Sequence, residues 1–206
     1  MKQPHAEASN FTSGLSKKDA YDQVLESMKS LAEGQRNWVC NTANAASLLW
    51  HLFHSLPAPS SSVNWSGFYV TDPKDNRQLI LGPFQGKVAC QTIKIGKGVC
   101  GTVAHNGDTL VLDDVETFPG HIACDSDSKS EVVVPIKVNG KVCSGNCNLA
   151  LNTDRPGRRS NRCRLCRSGG LRQYRQRRAR STSWFVGWRM RLVTMRDEFK
   201  SRRALG

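Results

Sequence analysis

Three cysteines stand beside glycine and polar groups in this sequence: Cys90 in Gly-Lys-Val-Ala-Cys-Gln, Cys100 in Gly-Lys-Gly-Val-Cys-Gly, and Cys124 in Gly-His-Ile-Ala-Cys-Asp. Glycine permits sharp turns and close backbone approach, which a ligand site needs. A cytosolic cysteine packs, binds metal or does redox chemistry. Three of them in loop-like text within 35 positions weigh against packing alone. A short helix starting at Gly98 would aim backbone N–H groups at Cys100 and favour its thiolate. A second set, Cys143-x3-Cys147 and Cys163-x2-Cys166, has four-thiolate zinc spacing, and with the surrounding arginines it would make a nucleic-acid-binding ribbon. His105 and His121 lie beside glycine turns and are given no role.

The elements that must position these groups follow from periodicity. Residues 1–16 read as a disordered leader. From Lys17, Tyr21, Val24, Leu25, Met28 and Leu31 recur at helical steps and Gly34 supplies a stop. A second helix runs from Trp38 to Ser55 with an apolar face through Val39, Ala43, Ala46, Leu49, Trp50 and Phe53, ended by Pro57 and Pro59. Val63–Thr71 and Gln78–Pro83 form a hairpin about the Asp72–Arg77 turn. Lys87–Ile95, Thr109–Leu112 and Glu131–Val138 read as strands, and Gly98–His105 as a short helix. This order predicts an α+β domain over 17–142, an antiparallel sheet with helices packed on one side.

Composition divides the chain. It has 206 residues and a net charge of +13, which taken whole would suggest nucleic acid. Residues 1–142 nevertheless carry 11 Lys, 2 Arg and 14 acids, whereas 143–206 carry 1 Lys, 16 Arg and 3 acids. A basic surface seldom inverts the Lys/Arg ratio so sharply, but a shifted reading frame does, because Arg owns many GC-rich codons. Residues 143–206 are therefore expected to be an out-of-frame or disordered Arg-rich tail, with nucleic acid as a partner only if the tail is genuine. The Trp184, Phe185 and Trp188 cluster is read the same way. The N-terminus lacks a signal-like apolar stretch, and no segment has the roughly 20 apolar residues of a membrane span. Eight cysteines without such a signal point to reduced thiols, a cytoplasmic location and no membrane partner.

Five segments carry a resemblance. Asn64-Trp65-Ser66-Gly67-Phe68-Tyr69, Leu81-Gly82-Pro83-Phe84-Gln85-Gly86, Gly98-Val99-Cys100-Gly101, Phe118-Pro119-Gly120-His121-Ile122-Ala123-Cys124-Asp125 and Ser130-Glu131-Val132-Val133-Val134-Pro135 are similar to the free methionine-(R)-sulfoxide reductases, which are single GAF domains. The resemblance runs from Phe11 to Val142 and includes the 10- and 24-residue steps between the three cysteines. It implies Cys124 as the attacking thiolate, with Cys90 as the first choice of resolving cysteine and Cys100 as the second. It further implies Trp65 and Tyr69 as aromatic walls around the thioether end, and Glu131 as an acidic contact. The substrate would be free methionine-(R)-sulfoxide, recycling would use a thioredoxin-like dithiol reductant, and neither metal nor organic cofactor would be needed.

One departure stands out. The family carries an Asp pair in a Gly-x-Leu-Asp-x-Asp strand shortly after the position of Val142, whereas here the first acid after Glu131 is Asp154. The resemblance then implies loss of two substrate contacts, the closing strand and a C-terminal helix, hence impaired activity. A non-catalytic GAF module binding a small molecule is the alternative, although such a module has no need of three cysteines at this spacing.

Overall fold

Local capping signals start the two long helices. Ser16 opens α1 (Lys17–Ala32), its hydroxyl accepting from the Asp19 N–H at 3.2 Å, and Asn37 opens α2 (Trp38–Ser55), its amide oxygen accepting from Val39 and Cys40 at 2.9 and 3.3 Å. The computed structural model describes residues 6–122, 125–138 and 141–153, with residues 138 and 141–153 described by backbone alone. Six strands follow: β1 (Val63–Thr71), β2 (Gln78–Gly86), β3 (Thr92–Lys94), β4 (Leu110–Leu112), β5 (Ser130–Val138) and β6 (Lys141–Thr153), with α3 (Gly98–Asn106) between β3 and β4. They form one sheet in the order β3-β2-β1-β6-β5-β4, and every neighbouring pair is antiparallel.

The sheet is buried on both faces. On one, Phe68, Val132, Val134 and Ile136 pack with Tyr21, Val24 and Met28 of α1 and Leu49, Leu52 and Phe53 of α2. On the other, Trp65, Tyr69, Leu79 and Val133 pack with Val99, Cys100, Val103 and Ala104 of α3. Successive side chains alternate across a strand, so Val133 parts from Val132 and Val134. The two long helices thus share one side, as expected, and α3 takes the opposite one. A register shift between Val63 and Trp65 turns Trp65 to the α3 face although Val63 faces the long helices.

Four sequence expectations change. Residues 6–16 are not a disordered leader: Ala6–Ser9 is a 3-10 turn, and Ala8, Phe11 and Leu15 pack on the α1–α2 core. Apolar groups that find a surface to cover stay ordered, and Gln23 adds an amide bond to the Asn10 carbonyl at 2.9 Å. The stretch predicted as a strand over 87–95 pairs only at Thr92–Lys94. Along α2, Val39 is 46% exposed and Ala43 is exposed, because the helix buries the arc through Thr42, Ala45, Ala46, Leu48, Leu49, Leu52 and Phe53.

The largest change is at the C-terminal side of the domain. The closing strand is not lost: β6 lies in the middle of the sheet, paired with β1 from Val63↔Thr153 to Tyr69↔Asn148 and with β5 from Ser130↔Thr153 to Val138↔Lys141. A ladder is made by backbone N–H and C=O groups, and residues 141–153 contain no proline to remove one. The register slips between Ile136↔Cys147 and Lys137↔Val142, which leaves residues 143–146 out of step with β5. The Arg-rich expectation for 154–206, Cys163 and Cys166 included, lies outside the described residues.

Gly67 lets the α3 face close. A Cβ there would stand 2.7 Å from Phe84 Cα and 2.8 Å from Trp65 Cη2, distances that real side chains do not reach. Gly67→Ala is expected to destabilise the domain by about 1–3 kcal/mol through overpacking. Urea unfolding followed by tryptophan fluorescence measures it, and an unchanged midpoint would show that Trp65 and Phe84 can move aside.

Candidate active site

On the α3 face a cavity of about 50 Å³ opens among β1, the β2–β3 connection, α3 and the segment before β5. Trp65 and Tyr69 of β1 form one wall. Their rings stack at 5.8 Å and 25°, and Phe84 backs Trp65 at 5.7 Å and 15°. The Tyr69 hydroxyl donates to the Cys90 carbonyl at 2.9 Å, tying the wall to the β2–β3 connection. Burial, reinforced by Cys100 and Glu131, pushes the Tyr69 phenol above its ordinary range, so it remains a donor. The buried Trp65 indole N–H has no acceptor among the described residues, a gap that an acceptor-bearing ligand would fill.

Opposite stand Cys100 on α3 and Glu131 on β5, both buried. The Cys100 thiol donates to the Glu131 carboxylate with Sγ···Oε1 3.6 Å. Burial lifts the Glu131 carboxyl to about 7 even though the Cys100 bond pulls the other way. It can therefore exchange a proton at neutral pH. The family pattern placed a carboxylate here; its raised pKa comes from desolvation. Cys100 behaves against the sequence expectation. Burial first, then the Glu131 charge and hydrogen bond, push its thiol well above the ordinary value. The helix N-terminus does not outweigh these, so Cys100 is a protonated donor rather than a ready thiolate.

Cys90 is disulfide-bonded. Neither Cys40 nor Cys100 is its disulfide partner. Cys124, the expected nucleophile, lies outside the described residues, as does Ala123. The flanking residues His121, Ile122 and Asp125 line the cavity. The structure thus gathers Trp65, Tyr69 and Cys100 with Glu131 around one opening, with Cys90 hydrogen-bonded to its wall.

Sequence reasoning missed Lys87, Asp125 and Ser128, which also line the opening, and it gave no role to His121. Lys87 shares a hexapeptide with Cys90, and Asp125 follows Cys124, so both were visible as letters. Their meeting across 38 positions was not. No group of three or more metal-binding side chains occurs among the described residues.

Residues 19–156 match the family model of the GAF domain. A free methionine-R-sulfoxide reductase of Saccharomyces cerevisiae is 53% identical over 135 residues, which cover 66% of this chain and 73% of that protein. This chain belongs to that family of GAF domains. An Escherichia coli protein of the same name is 35% identical over 62% of this chain and 72% of its own length. The X-ray structure of the free methionine-R-sulfoxide reductase of Neisseria meningitidis in complex with its substrate aligns with a TM-score of 0.61 and 35% identity, covering 73% of this chain and 83% of that one. The GAF match reaches residue 156 and so takes in β6.

Glu131 makes this GAF domain's stability depend on pH. A carboxyl whose pKa is higher folded than unfolded binds an extra proton in the folded state, so its contribution is greatest in acid and falls as pH rises. The window runs from about 4.3, the unfolded value, to about 7, and spans roughly 3–4 kcal/mol. Glu131→Gln should flatten the curve of unfolding free energy against pH in that window and be the more stable form above it. Parallel curves for the two proteins would show that Glu131 ionises without penalty.

Proposed function

We propose that this chain reduces free methionine-(R)-sulfoxide to methionine with a thiol, through a cysteine sulfenic acid and then a disulfide. The observation that carries the reading is the disulfide-bonded Cys90 held by Tyr69 beside a cavity that has an aromatic wall and a carboxyl titrating near neutrality. The family relationship supplies the substrate class.

In this reading the thioether end of the substrate lies against Trp65 and Tyr69. A sulfoxide sulfur is electrophilic, but its oxygen leaves only when protonated. The Cys124 thiolate attacks sulfur, forming a transient S–S bond, and Glu131 delivers a proton to oxygen; the hydroxyl then passes to the Cys124 sulfur as the substrate S–O bond and the transient S–S bond break, so that methionine departs and Cys124 is left as a sulfenic acid. The Cys90 thiol then attacks Cys124, forming the S–S bond and releasing water. An external thioredoxin-like dithiol is oxidised as it returns both cysteines to thiols. Cys100, buried and protonated, suits holding Glu131 better than resolving the sulfenic acid, which favours Cys90 for that step. No helix among the described residues is long and apolar enough to cross a membrane.

Single-turnover chemistry tests the reading. Pre-reduced full chain, given free methionine-(R)-sulfoxide without reductant, should form one methionine per chain. Cys90→Ser should do the same and then fail to turn over with a dithiol, whereas Cys124→Ser should form none. Full activity in Cys124→Ser would remove it as the nucleophile.

The segment 141–153 holds no acidic residue, although β6 occupies the centre of the sheet. Charge-assisted hydrogen bonds to a substrate ammonium contribute roughly 1.5–3 kcal/mol each. Loss of two would lower the specificity constant about 10²- to 10⁴-fold. A form whose reading frame near codons 138–150 is shifted to restore Gly-x-Leu-Asp-x-Asp should exceed this chain by that factor on the free sulfoxide. Equal rates would mean that other residues hold the ammonium.

A further inference from the structure

Two connections from distant parts of the chain meet beside the cavity, and Asn64 anchors both. Its carbonyl accepts from the Lys87 N–H at 3.3 Å, while its side-chain amide donates to Asp125 Oδ2 and Ser128 Oγ, each at 3.2 Å. Gly86, with φ +110°, makes the first contact possible, since a Cβ there would collide with the Asn64 carbonyl. The Lys87 ammonium closes the circuit, lying 3.2 Å from the Asp125 carboxylate and 2.6 Å from that of Asp127. The Asp127 N–H donates to Asp125 Oδ1 at 3.0 Å, which fixes the turn that carries both acids. Asp125 is the sheltered arm, its side chain 20% exposed against 63% for Asp127. The nearby cation Lys129 is engaged with Glu116 at 3.2 Å.

Position along the chain gives this ion pair its meaning. Lys87 precedes Cys90 by three residues, and Asp125 directly follows Cys124. We propose that Lys87 is a positioning residue whose ion pairs with Asp125 and Asp127 latch the segment bearing Cys124 to the segment bearing Cys90, keeping the two thiols within reach after their disulfide is reduced. The proposal rests on the reading of Cys124 as the partner of Cys90. Without the latch the dithiol form gains freedom that disulfide formation must remove, so the equilibrium moves towards the dithiol.

The test is a thiol–disulfide equilibrium with no methionine sulfoxide present. Full-length protein is equilibrated in mixtures of reduced and oxidised dithiothreitol, quenched by alkylation, and the Cys90 peptide is quantified by mass spectrometry. Lys87→Met should lower the equilibrium constant for disulfide formation about three- to tenfold at low ionic strength, as the loss of two partly exposed ion pairs allows. The gap should shrink to less than about twofold in ~1 M salt, where the screening length is only about 3 Å. Lys87→Arg should restore most of the wild-type value. A general loss of packing would be neither screened by salt nor rescued by arginine. A Lys87→Met protein equal to wild type at low salt, a shift that salt leaves unchanged, or a peptide map joining Cys90 to a cysteine other than Cys124 would each overturn the latch. A salt-screened shift in a protein that leaves the free sulfoxide untouched would sustain the latch and remove the proposed substrate instead.

Discussion

Stacking of Trp65 on Tyr69 over the bare backbone of Gly67 is the contact on which the α3 side of this domain depends. All three lie on one face of β1, and the absent side chain at Gly67 makes room for the indole. Phe84 on β2 then completes the stack, and the Tyr69 hydroxyl reaches the Cys90 carbonyl. Ser66, Phe68 and Val70 alternate with these residues on the other face, where Phe68 is buried and Val70 packs against the core under α1 and α2. One strand therefore secures the core on one face and the wall of the cavity on the other.

Charge is handled differently at the two ends of the cavity. Deep in the protein, Glu131 and Cys100 share a proton-bearing contact in which desolvation dominates, raising both groups above their ordinary values. Near the rim, Lys87 and Asp127 remain open to solvent while Asp125 is the more sheltered partner. Hydrogen bonding to Lys87 there lowers the Asp127 carboxyl, and bonds to Asp127 and then Asp125 raise the Lys87 ammonium. The buried pair is suited to moving a proton at neutral pH. The rim ion pairs are suited to holding segments together.

Family and fold were legible because their signals are local. Helical spacing of Tyr21, Val24 and Met28, the turn at Asp72–Arg77 and the glycine-flanked cysteines each occupy a few consecutive residues. The same reading ended the domain at Val142, because composition and side-chain pattern change there. The ladder of β6 continues to Thr153 because backbone hydrogen bonding is blind to that change. The leader was misjudged for the converse reason: Phe11 and Leu15 look isolated in the sequence, and only the α1–α2 surface gives them something to cover.

By itself the sequence determined the α+β class, the positions of the long helices and most strands, and it singled out Trp65, Tyr69, Cys100 and Glu131 of the residues around the cavity, since these rest on periodicity and on motifs read within short windows. Tertiary structure decided what those residues are chemically. Cys100 carries a helix-start position that favours a thiolate, yet burial beside Glu131 keeps it protonated. Glu131 looks like an ordinary strand carboxylate, yet the same burial brings its titration to neutrality. Lys87 is one surface lysine among many until Asn64 draws Asp125 and Ser128 to the β1–β2 edge. Desolvation and the meeting of charges distant along the chain depend on three-dimensional distance, which sequence spacing does not encode.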